Sequence, residues 1–165
     1  MGLAEAGSEL AALLSAAGLT LGLAESCTGG LVASTITDIP GSSAFFWGGV
    51  VSYANEVKER VLGVPRALLV EHGAVSEEVA RSMANGAREL LGVDLALAIT
   101  GIAGPGGGTD TKPVGLACLA VVGPWGEGAV RFQAQGDRLA NRRAFAEKGI
   151  RLVISYVANR GSLGG

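Results

Sequence analysis

Three short polar segments interrupt a sequence that is otherwise rich in apolar residues. They read ESCTGG (residues 25–30), SYANEVK (52–58) and TGIAGPGGGTDTKP (100–113). Each segment follows an apolar stretch that is typical of a buried strand. Because the carboxyl ends of parallel strands meet at one edge of a sheet, we expect the three segments to form a single site.

The first polar segment contains a candidate nucleophile, Ser26, at the point where a predicted strand gives way to a helix. Backbone N–H groups at a helix amino end have no partner within the helix, so those of Thr28, Gly29 and Gly30 would be free to stabilise an oxyanion. A hydroxyl at such a position more often caps the helix, and either Ser26 or Thr28 could fill that role. Taken by itself, the segment favours capping.

Lys58, in the second segment, favours the catalytic interpretation. If Asn55 is the N-cap of the next helix, Lys58 falls in its first turn, where the positive end of the helix dipole lowers the pKa of an ammonium group. A neutral lysine can take the proton of a serine hydroxyl, as in serine-lysine hydrolases. Against this, Glu56 and Glu59 would keep Lys58 charged, and an ordinary surface lysine is the simpler interpretation.

Cysteine and histidine are scarce, which limits the other kinds of site. The chain has two cysteines and one histidine, and their spacing matches no metal site, so we expect neither a metal nor a cofactor. Cys27 is an alternative nucleophile, but adjacent residues leaving a strand point in different directions, so only one of Ser26 and Cys27 can face Lys58. Cys118 lies in an apolar run and is predicted to be a core residue, and His72, just before a glycine, is predicted to cap a helix.

The third segment is rich in glycine but lacks the phosphate-binding motifs. Walker A requires a glycine directly before lysine and then Ser or Thr, whereas Lys112 stands between Thr111 and Pro113. The dinucleotide motif GxGxxG fails as well, because Thr109 stands where its last glycine would be. The loop remains compatible with a lid or a backbone cradle in which Thr109, Asp110 and Lys112 take part.

Length and composition indicate one globular domain. At 165 residues, 48% of them hydrophobic, the chain can bury one core, and we expect a single domain over residues 1–160 followed by a disordered tail over 161–165. A net charge of −2 with scattered Lys and Arg residues argues against direct binding of nucleic acid. The sequence has no run of 18 apolar residues and no secretion signal, so we expect a cytoplasmic protein that acts on a small molecule rather than at a membrane.

Helical and strand patterns alternate through the first two-thirds of the chain. The clearest helix starts at Ser76 and repeats Val79, Met83, Ala87 and Leu90 along one face. Such alternation predicts an α/β fold, a three-layer α/β/α sandwich around a mostly parallel, mixed sheet whose last two strands form an antiparallel pair. The other predicted elements are helices over 3–17, 31–39, 56–63 and 65–73 and from about 137 onward, and strands over 20–24, 43–54, 94–100, 116–123 and 128–135.

Several longer motifs resemble those of a known family. AESCTGG, SYANEVK, HGAVSEEVA, TGIAGPGGG, KPVG and GDR occur in the order and at about the spacing of the CinA C-terminal domain family, from about residue 20 to 143. The studied members of that family are nicotinamide-nucleotide amidases of the PncC type. The resemblance implies hydrolysis of nicotinamide mononucleotide to nicotinate mononucleotide and ammonia in pyridine-nucleotide salvage, without a metal. It also implies a three-layer fold with a mixed sheet and a homo-oligomer. Full-length CinA proteins carry an additional amino-terminal domain, for which we expect no room in this chain.

The resemblance assigns catalytic roles to residues of the three polar segments. It implies that Ser26 is the nucleophile and that Lys58 is its base. Tyr53 and Asn55 would orient the site, and Thr100 would act as a hydroxyl relay or an oxyanion donor.

For the substrate phosphate, the resemblance points to Arg142. Because Asn141 stands where the family usually has an apolar residue, Arg138 or Arg143 could serve instead. The remaining substrate-binding positions are expected in the glycine-rich turns: Thr28, Gly29, Gly30, Gly101 and Gly104.

Two non-catalytic functions compete with the amidase. A module that only binds a nucleotide would need the glycines and an arginine, but it would not need Ser26 together with Lys58. A partner protein of the recombination machinery is the other alternative, suggested by the link of the family to competence and DNA damage. The near-neutral charge of the chain gives no sign of direct contact with DNA.

Overall fold

Helices and strands alternate along the chain in the structure, a computed structural model that describes residues 2–164. A single 3-10 turn, Ser42–Ala44, precedes the second strand, which is shorter than the sequence predicts. The elements in chain order are α1 (Leu3–Ala17), β1 (Leu21–Glu25), α2 (Leu31–Thr37), β2 (Phe46–Val51), α3 (Asn55–Leu62), α4 (Arg66–His72), α5 (Glu77–Leu91), β3 (Leu95–Gly101), β4 (Leu116–Gly123), β5 (Gly126–Gln133) and α6 (Arg138–Ala158).

The strands form one mixed sheet in the order β2-β1-β3-β4-β5. β1 pairs with β2 and β3 in parallel, and the pairs β3–β4 and β4–β5 are antiparallel. The predicted mixed sheet and its antiparallel last pair are therefore confirmed. The parallel strands β1, β2 and β3 all end at the same edge of the sheet, which is where the three polar segments begin.

The two faces of the sheet differ in the size of their side chains. Leu23, Leu97 and Leu119 belong to a core cluster shared with α1, α2 and α6. On the opposite face, Ala98 and Ala120 pack in a second cluster with residues of α3, α4 and α5. The predicted three-layer sandwich is confirmed, and the small residues of the second face leave room for α5 to lie close against the sheet.

The helix α5 begins as predicted, but one residue of its predicted apolar face is exposed. The Ser76 hydroxyl accepts a hydrogen bond from the backbone N–H of Val79, which confirms the predicted N-cap. Leu90, which we expected on the buried face, is 55% exposed, so that expectation is wrong. Its neighbour Leu91 is half-buried and packs over β1 and β2 instead, because Gly22 and Gly48 have no side chains and leave space there.

The last helix and the residues after it cover the first core cluster. The helix α6 starts at Arg138, in agreement with the predicted start near residue 137, and Asp137 caps it by accepting a hydrogen bond from the backbone N–H of Ala140 at 2.9 Å. Phe145 in this helix is fully buried. In the segment expected to form a tail, Leu163 packs against the core cluster, and residue 165 lies outside the described residues. No helix within residues 2–164 is long and apolar enough to cross a membrane.

A glycine in α5 provides a test of the close contact between α3 and α5. Glycine within a helix usually costs about 1 kcal/mol relative to alanine. At Gly86, however, an added Cβ would lie 1.9 Å from the carbonyl oxygen of Leu62. We therefore expect Gly86→Ala to lower the free energy of unfolding, measured with urea, by about 1 to 3 kcal/mol. Ser82→Ala in the same helix is the control and should not lower it. A Gly86→Ala protein at least as stable as the wild type would contradict the contact.

Candidate active site

A pocket of about 270 Å³ opens where the segments after β1, β2 and β3 meet. Most of the residues predicted for the site line it, while Thr28, Gly29, Gly30 and Arg142 are not among its lining residues. The predicted site residues that the structure brings together here are Ser26, Tyr53, Asn55, Lys58, Thr100, Gly101 and Gly104. The three polar segments thus converge on one site, as their positions after parallel strands predicted.

Lys58 and Ser26 form a buried pair at the base of this pocket. The Nζ atom of Lys58 lies 3.0 Å from the Oγ atom of Ser26, and the lysine is only 1% exposed. The same Nζ donates to two backbone carbonyls at the end of β2, those of Ser52 at 2.7 Å and Tyr53 at 3.2 Å. These two carbonyls fix the amine, so its third tetrahedral position is directed at Ser26.

Burial lowers the pKa of Lys58 below its ordinary value of 10.5, because an ammonium ion loses its hydration there. The expectation that Glu59 keeps Lys58 charged is wrong, because Glu59 pairs with Arg66 at 3.0 Å. Glu56 raises the pKa of Lys58, but its effect is smaller than the lowering that burial causes. Within residues 2–164, no carboxylate forms an ion pair with Lys58.

The helix that carries Lys58 begins one residue earlier than predicted. The N-cap residue is Ala54, and no side chain caps the helix by a hydrogen bond. The expected capping role of Asn55 is therefore wrong. The backbone N–H of Lys58 donates to the carbonyl of Ala54 at 3.2 Å, which places the lysine in the first turn as expected. The positive end of the helix dipole therefore lies beside the amine and opposes its protonation.

The turn that carries Ser26 is held by a residue that the sequence analysis missed. The carboxylate of Glu25 accepts hydrogen bonds from the backbone N–H groups of Val32 at 3.0 Å and Ala33 at 3.1 Å, so it caps α2. Neither Ser26 nor Thr28 is the cap, and that alternative is wrong. A glutamate that ends a buried strand just before a glycine pair was the available signal.

Cys27 is a poor alternative to Ser26 as a nucleophile. Its side chain is 7% exposed and belongs to the core cluster with α1, α2 and α6. Burial raises the pKa of the Cys27 thiol to about 12, so the reactive thiolate is scarce near neutral pH. The hydrogen bond of Lys58 goes to Ser26, in line with the expectation that only one of the two neighbours faces the lysine.

The arginines of α6 occupy different places. Arg138 lines the pocket, where its guanidinium donates to the carbonyl of Gly104 at 2.7 Å and to the hydroxyl of Tyr53 at 3.1 Å. Arg142 instead donates to the carbonyls of Cys27 at 3.0 Å and Thr28 at 2.8 Å. Because Arg142 is held by these two backbone carbonyls and does not line the pocket, it is not placed to bind a substrate there.

Two other residues that the sequence analysis singled out, Thr100 and Lys112, donate side-chain hydrogen bonds to backbone carbonyls. Thr100 is 1% exposed and donates its hydroxyl to the carbonyl of Ala74 at 2.9 Å, which turns its proton away from Ser26. Lys112 ties the glycine-rich loop to the end of α4 by donating to the carbonyl of His72. Within residues 2–164, no three side chains of His, Cys, Asp or Glu are grouped as a metal site requires.

Known proteins are similar to this chain in both fold and sequence. The sequence model of the CinA C-terminal domain matches residues 4–157. The chain belongs to the CinA C-terminal domain family. A crystal structure of a CinA superfamily protein from Klebsiella pneumoniae aligns with a TM-score of 0.93 at 33% identity, over 96% of this chain and 99% of that one. The competence/damage inducible protein CihA from Agrobacterium tumefaciens aligns with a TM-score of 0.87 at 38% identity, over 93% and 94%.

Relatives of the CinA C-terminal domain family are also found among curated proteins. A CinA-like protein from Geobacter sulfurreducens is 60% identical over 129 residues, which make up 78% of this chain and 31% of that protein. The chain spans about a third of the length of the curated relatives that it matches.

The lowered pKa of Lys58 predicts how the reactivity of Ser26 depends on pH. Ser26 should react with a small fluorophosphonate only when Lys58 is neutral, so the labelling rate should rise with pH and level off, with a midpoint below 10.5. Lys58→Met should remove this midpoint and slow the labelling, because no base remains.

Lys148→Met is the matched control for the Lys58 variant. Lys148 lies on α6 over the ring of Phe132 and does not line the pocket. Its removal should leave the pH profile of labelling unchanged. Labelling that is equally fast in Lys58→Met would show that Lys58 does not activate Ser26.

Proposed function

We propose that this protein hydrolyses the carboxamide of nicotinamide mononucleotide to nicotinate mononucleotide and ammonia. The observation that carries the proposal is the buried contact of 3.0 Å between Ser26 Oγ and Lys58 Nζ, a lysine that forms no ion pair with any carboxylate among residues 2–164. A buried lysine that serves only for stability would be costly, because removing an ammonium ion from water is unfavourable without a counter-charge. A base for a serine nucleophile gives this arrangement a purpose.

The first half of the reaction forms an ester on Ser26. Neutral Lys58 takes the proton of the Ser26 hydroxyl while Oγ attacks the carbonyl carbon of the carboxamide. The carbonyl oxygen becomes an oxyanion in the tetrahedral intermediate. When this intermediate collapses, the C–N bond breaks, and Lys58 returns its proton to the leaving nitrogen, which departs as ammonia.

The second half of the reaction releases the acid. Water enters the position that ammonia has left, and Lys58 takes one of its protons while the oxygen attacks the ester carbon. The C–O bond to Ser26 then breaks, the lysine returns the proton to Oγ, and nicotinate mononucleotide leaves. Lys58 is neutral at the start of each half, which is why its lowered pKa matters.

We assign the substrate phosphate to Arg138 rather than to Arg142. The guanidinium of Arg138 lines the pocket, and its present partners, the carbonyl of Gly104 and the hydroxyl of Tyr53, are neutral groups that a phosphate could replace. Arg142 does not line the pocket and is held by two carbonyls. Arg143, on the same helix, is exposed and also lies outside the pocket lining.

A nucleotide-binding module or a partner protein in competence would not require the buried pair. A nucleotide-binding module would use Arg138 and the glycine-rich loop, but neither function explains why Lys58 is buried against Ser26. Ammonia release from the mononucleotide, measured beside the dinucleotide and free nicotinamide, separates the enzyme from both alternatives.

Ser26→Ala should abolish turnover without unfolding the protein. Because Ser26 is not the helix cap, its loss removes only the contact with Lys58, whereas the covalent step has no substitute. We expect ammonia release to fall at least about 1000-fold, and Lys58→Met and the double variant should be similarly inactive.

Cys27→Ala is the neighbouring control and should keep most of the activity. A folded Ser26→Ala protein with nearly wild-type deamidation would refute the proposed mechanism, and Cys27 would then become the residue to examine. The folded fraction of each variant is checked by circular dichroism and thermal unfolding.

Arg138→Ala should weaken binding of the phosphate. We expect KM for nicotinamide mononucleotide to rise by about 10- to 100-fold, the loss typical of a charge-assisted contact. Activity on nicotinamide riboside, which lacks the phosphate, should change little. Arg143→Ala should leave both substrates unaffected, and equal losses on both substrates in Arg138→Ala would contradict the assignment.

A further inference from the structure

We propose that Arg142 is a positioning residue that orients two backbone N–H groups, those of Cys27 and Thr28, as donors to the oxyanion. This inference rests on the proposed function, since it concerns the tetrahedral intermediate formed on Ser26. It replaces the phosphate role that the family resemblance implied for Arg142. It also revises the donors that the sequence predicted, because it keeps Thr28, adds Cys27 and excludes Gly29.

Gly29, one of the three predicted donors, is already used within the protein. The N–H of Gly29 donates to the carbonyl of Ser26 at 3.0 Å and closes a tight turn over residues 26–29. The first turn of α2 is occupied too, because its N–H groups at Val32 and Ala33 donate to Glu25. An oxyanion therefore cannot use Gly29 or these two groups without breaking a contact.

Two peptide groups of the turn are held by their carbonyl sides. The carbonyl of Ser26 accepts from Gly29, and the carbonyl of Cys27 accepts from Nε of Arg142 at 3.0 Å. In a planar trans peptide the N–H points opposite to the C=O. The N–H groups of Cys27 and Thr28, which complete these two peptides, are therefore directed away from those contacts.

These two N–H groups are unpaired in the structure. Within residues 2–164, neither the N–H of Cys27 nor that of Thr28 donates to an acceptor of another residue. They are the first two N–H groups that follow Ser26 along the chain, in the turn over residues 26–29. Unpaired donors next to a nucleophile are the arrangement that stabilises a developing oxyanion.

The positive charge of Arg142 strengthens this arrangement. Its guanidinium also donates to the carbonyl of Thr28 at 2.8 Å, in the peptide whose N–H is that of Gly29. Because Gly29 donates to the carbonyl of Ser26, Arg142 holds the N–H of Thr28 directly and that of Cys27 through Gly29. Hydrogen bonds to a carbonyl polarise the peptide and make its N–H a better donor. Gly29 permits this approach, because a Cβ there would lie 3.3 Å from Nη2 of Arg142.

The experiment compares Arg142→Ala and Arg142→Lys with Arg143→Ala, a matched control whose side chain is exposed on the same helix. Turnover is measured on nicotinamide mononucleotide and on nicotinamide riboside. Labelling of Ser26 by a small fluorophosphonate is measured as well: Oγ bonds to phosphorus, fluoride leaves, and the proton passes to Lys58. That reaction uses the same oxyanion donors but requires no amidase substrate.

We expect Arg142→Ala to lower kcat and the labelling rate by about 10- to 100-fold, with similar losses on both substrates and little change in KM. Arg142→Lys, which keeps the charge but can hold only one carbonyl well, should recover part of the loss. Arg143→Ala should behave as the wild type. The lysine variant keeps the test valid if the alanine variant does not fold.

Three outcomes would overturn the inference. One is a loss in Arg142→Ala that is confined to KM for the mononucleotide, since this would make Arg142 a phosphate ligand. Another is unchanged kcat and labelling in both Arg142 variants. The third is a wild-type protein that neither hydrolyses the substrates nor is labelled, which would refute the proposed function as well. A wild-type protein that is labelled but hydrolyses neither substrate would refute only the proposed substrate, and the labelling rates would still decide the role of Arg142.

Discussion

The buried amine of Lys58 is the constraint on which the rest of the site depends. An ammonium ion removed from water needs a counter-charge, and none of the described residues supplies one as an ion pair. The fold provides two carbonyls at the end of β2 and the hydroxyl of Ser26 instead. These neutral partners suit a neutral amine, and they aim its remaining position at Ser26. The burial that disfavours the ammonium form of Lys58 therefore also favours a neutral Nζ atom in contact with Ser26.

Each layer of the fold contributes to this geometry. The parallel strands bring the ends of β1 and β2 together, and the carbonyl of Glu25 accepts the N–H of Ser52 at 2.8 Å, which joins the segment of Ser26 to that of Lys58. The side chain of Glu25 holds the start of α2, while Arg142 reaches from α6 to the same turn. The turn that carries Ser26 is thus fixed from the sheet and from both neighbouring helices, as a preorganised site requires.

Much of this organisation could be predicted from the sequence, because it follows from periodicity and position. Alternating patterns gave the layers, and polar segments after parallel strands gave the convergence of Ser26 and Lys58. The hydrogen-bond partners could not be predicted, because they depend on directions in space. Glu25 rather than a hydroxyl caps α2, and Arg138 rather than Arg142 lines the pocket. A helical pattern places both arginines on one side of α6, but it does not show which of them lines the pocket and which is held by the turn after β1.

Trapping the covalent intermediate tests the central claim most directly. Wild-type protein is mixed with nicotinamide mononucleotide, quenched in acid within milliseconds and digested, and the peptide that contains Ser26 is examined by mass spectrometry. The Ser26–Lys58 pair predicts a peptide that carries the substrate acyl group as an ester on Ser26, appearing together with the first equivalent of ammonia and absent from Ser26→Ala. Ammonia release with the Ser26 peptide unmodified at every time point, or with the acyl group on Cys27, would contradict the account.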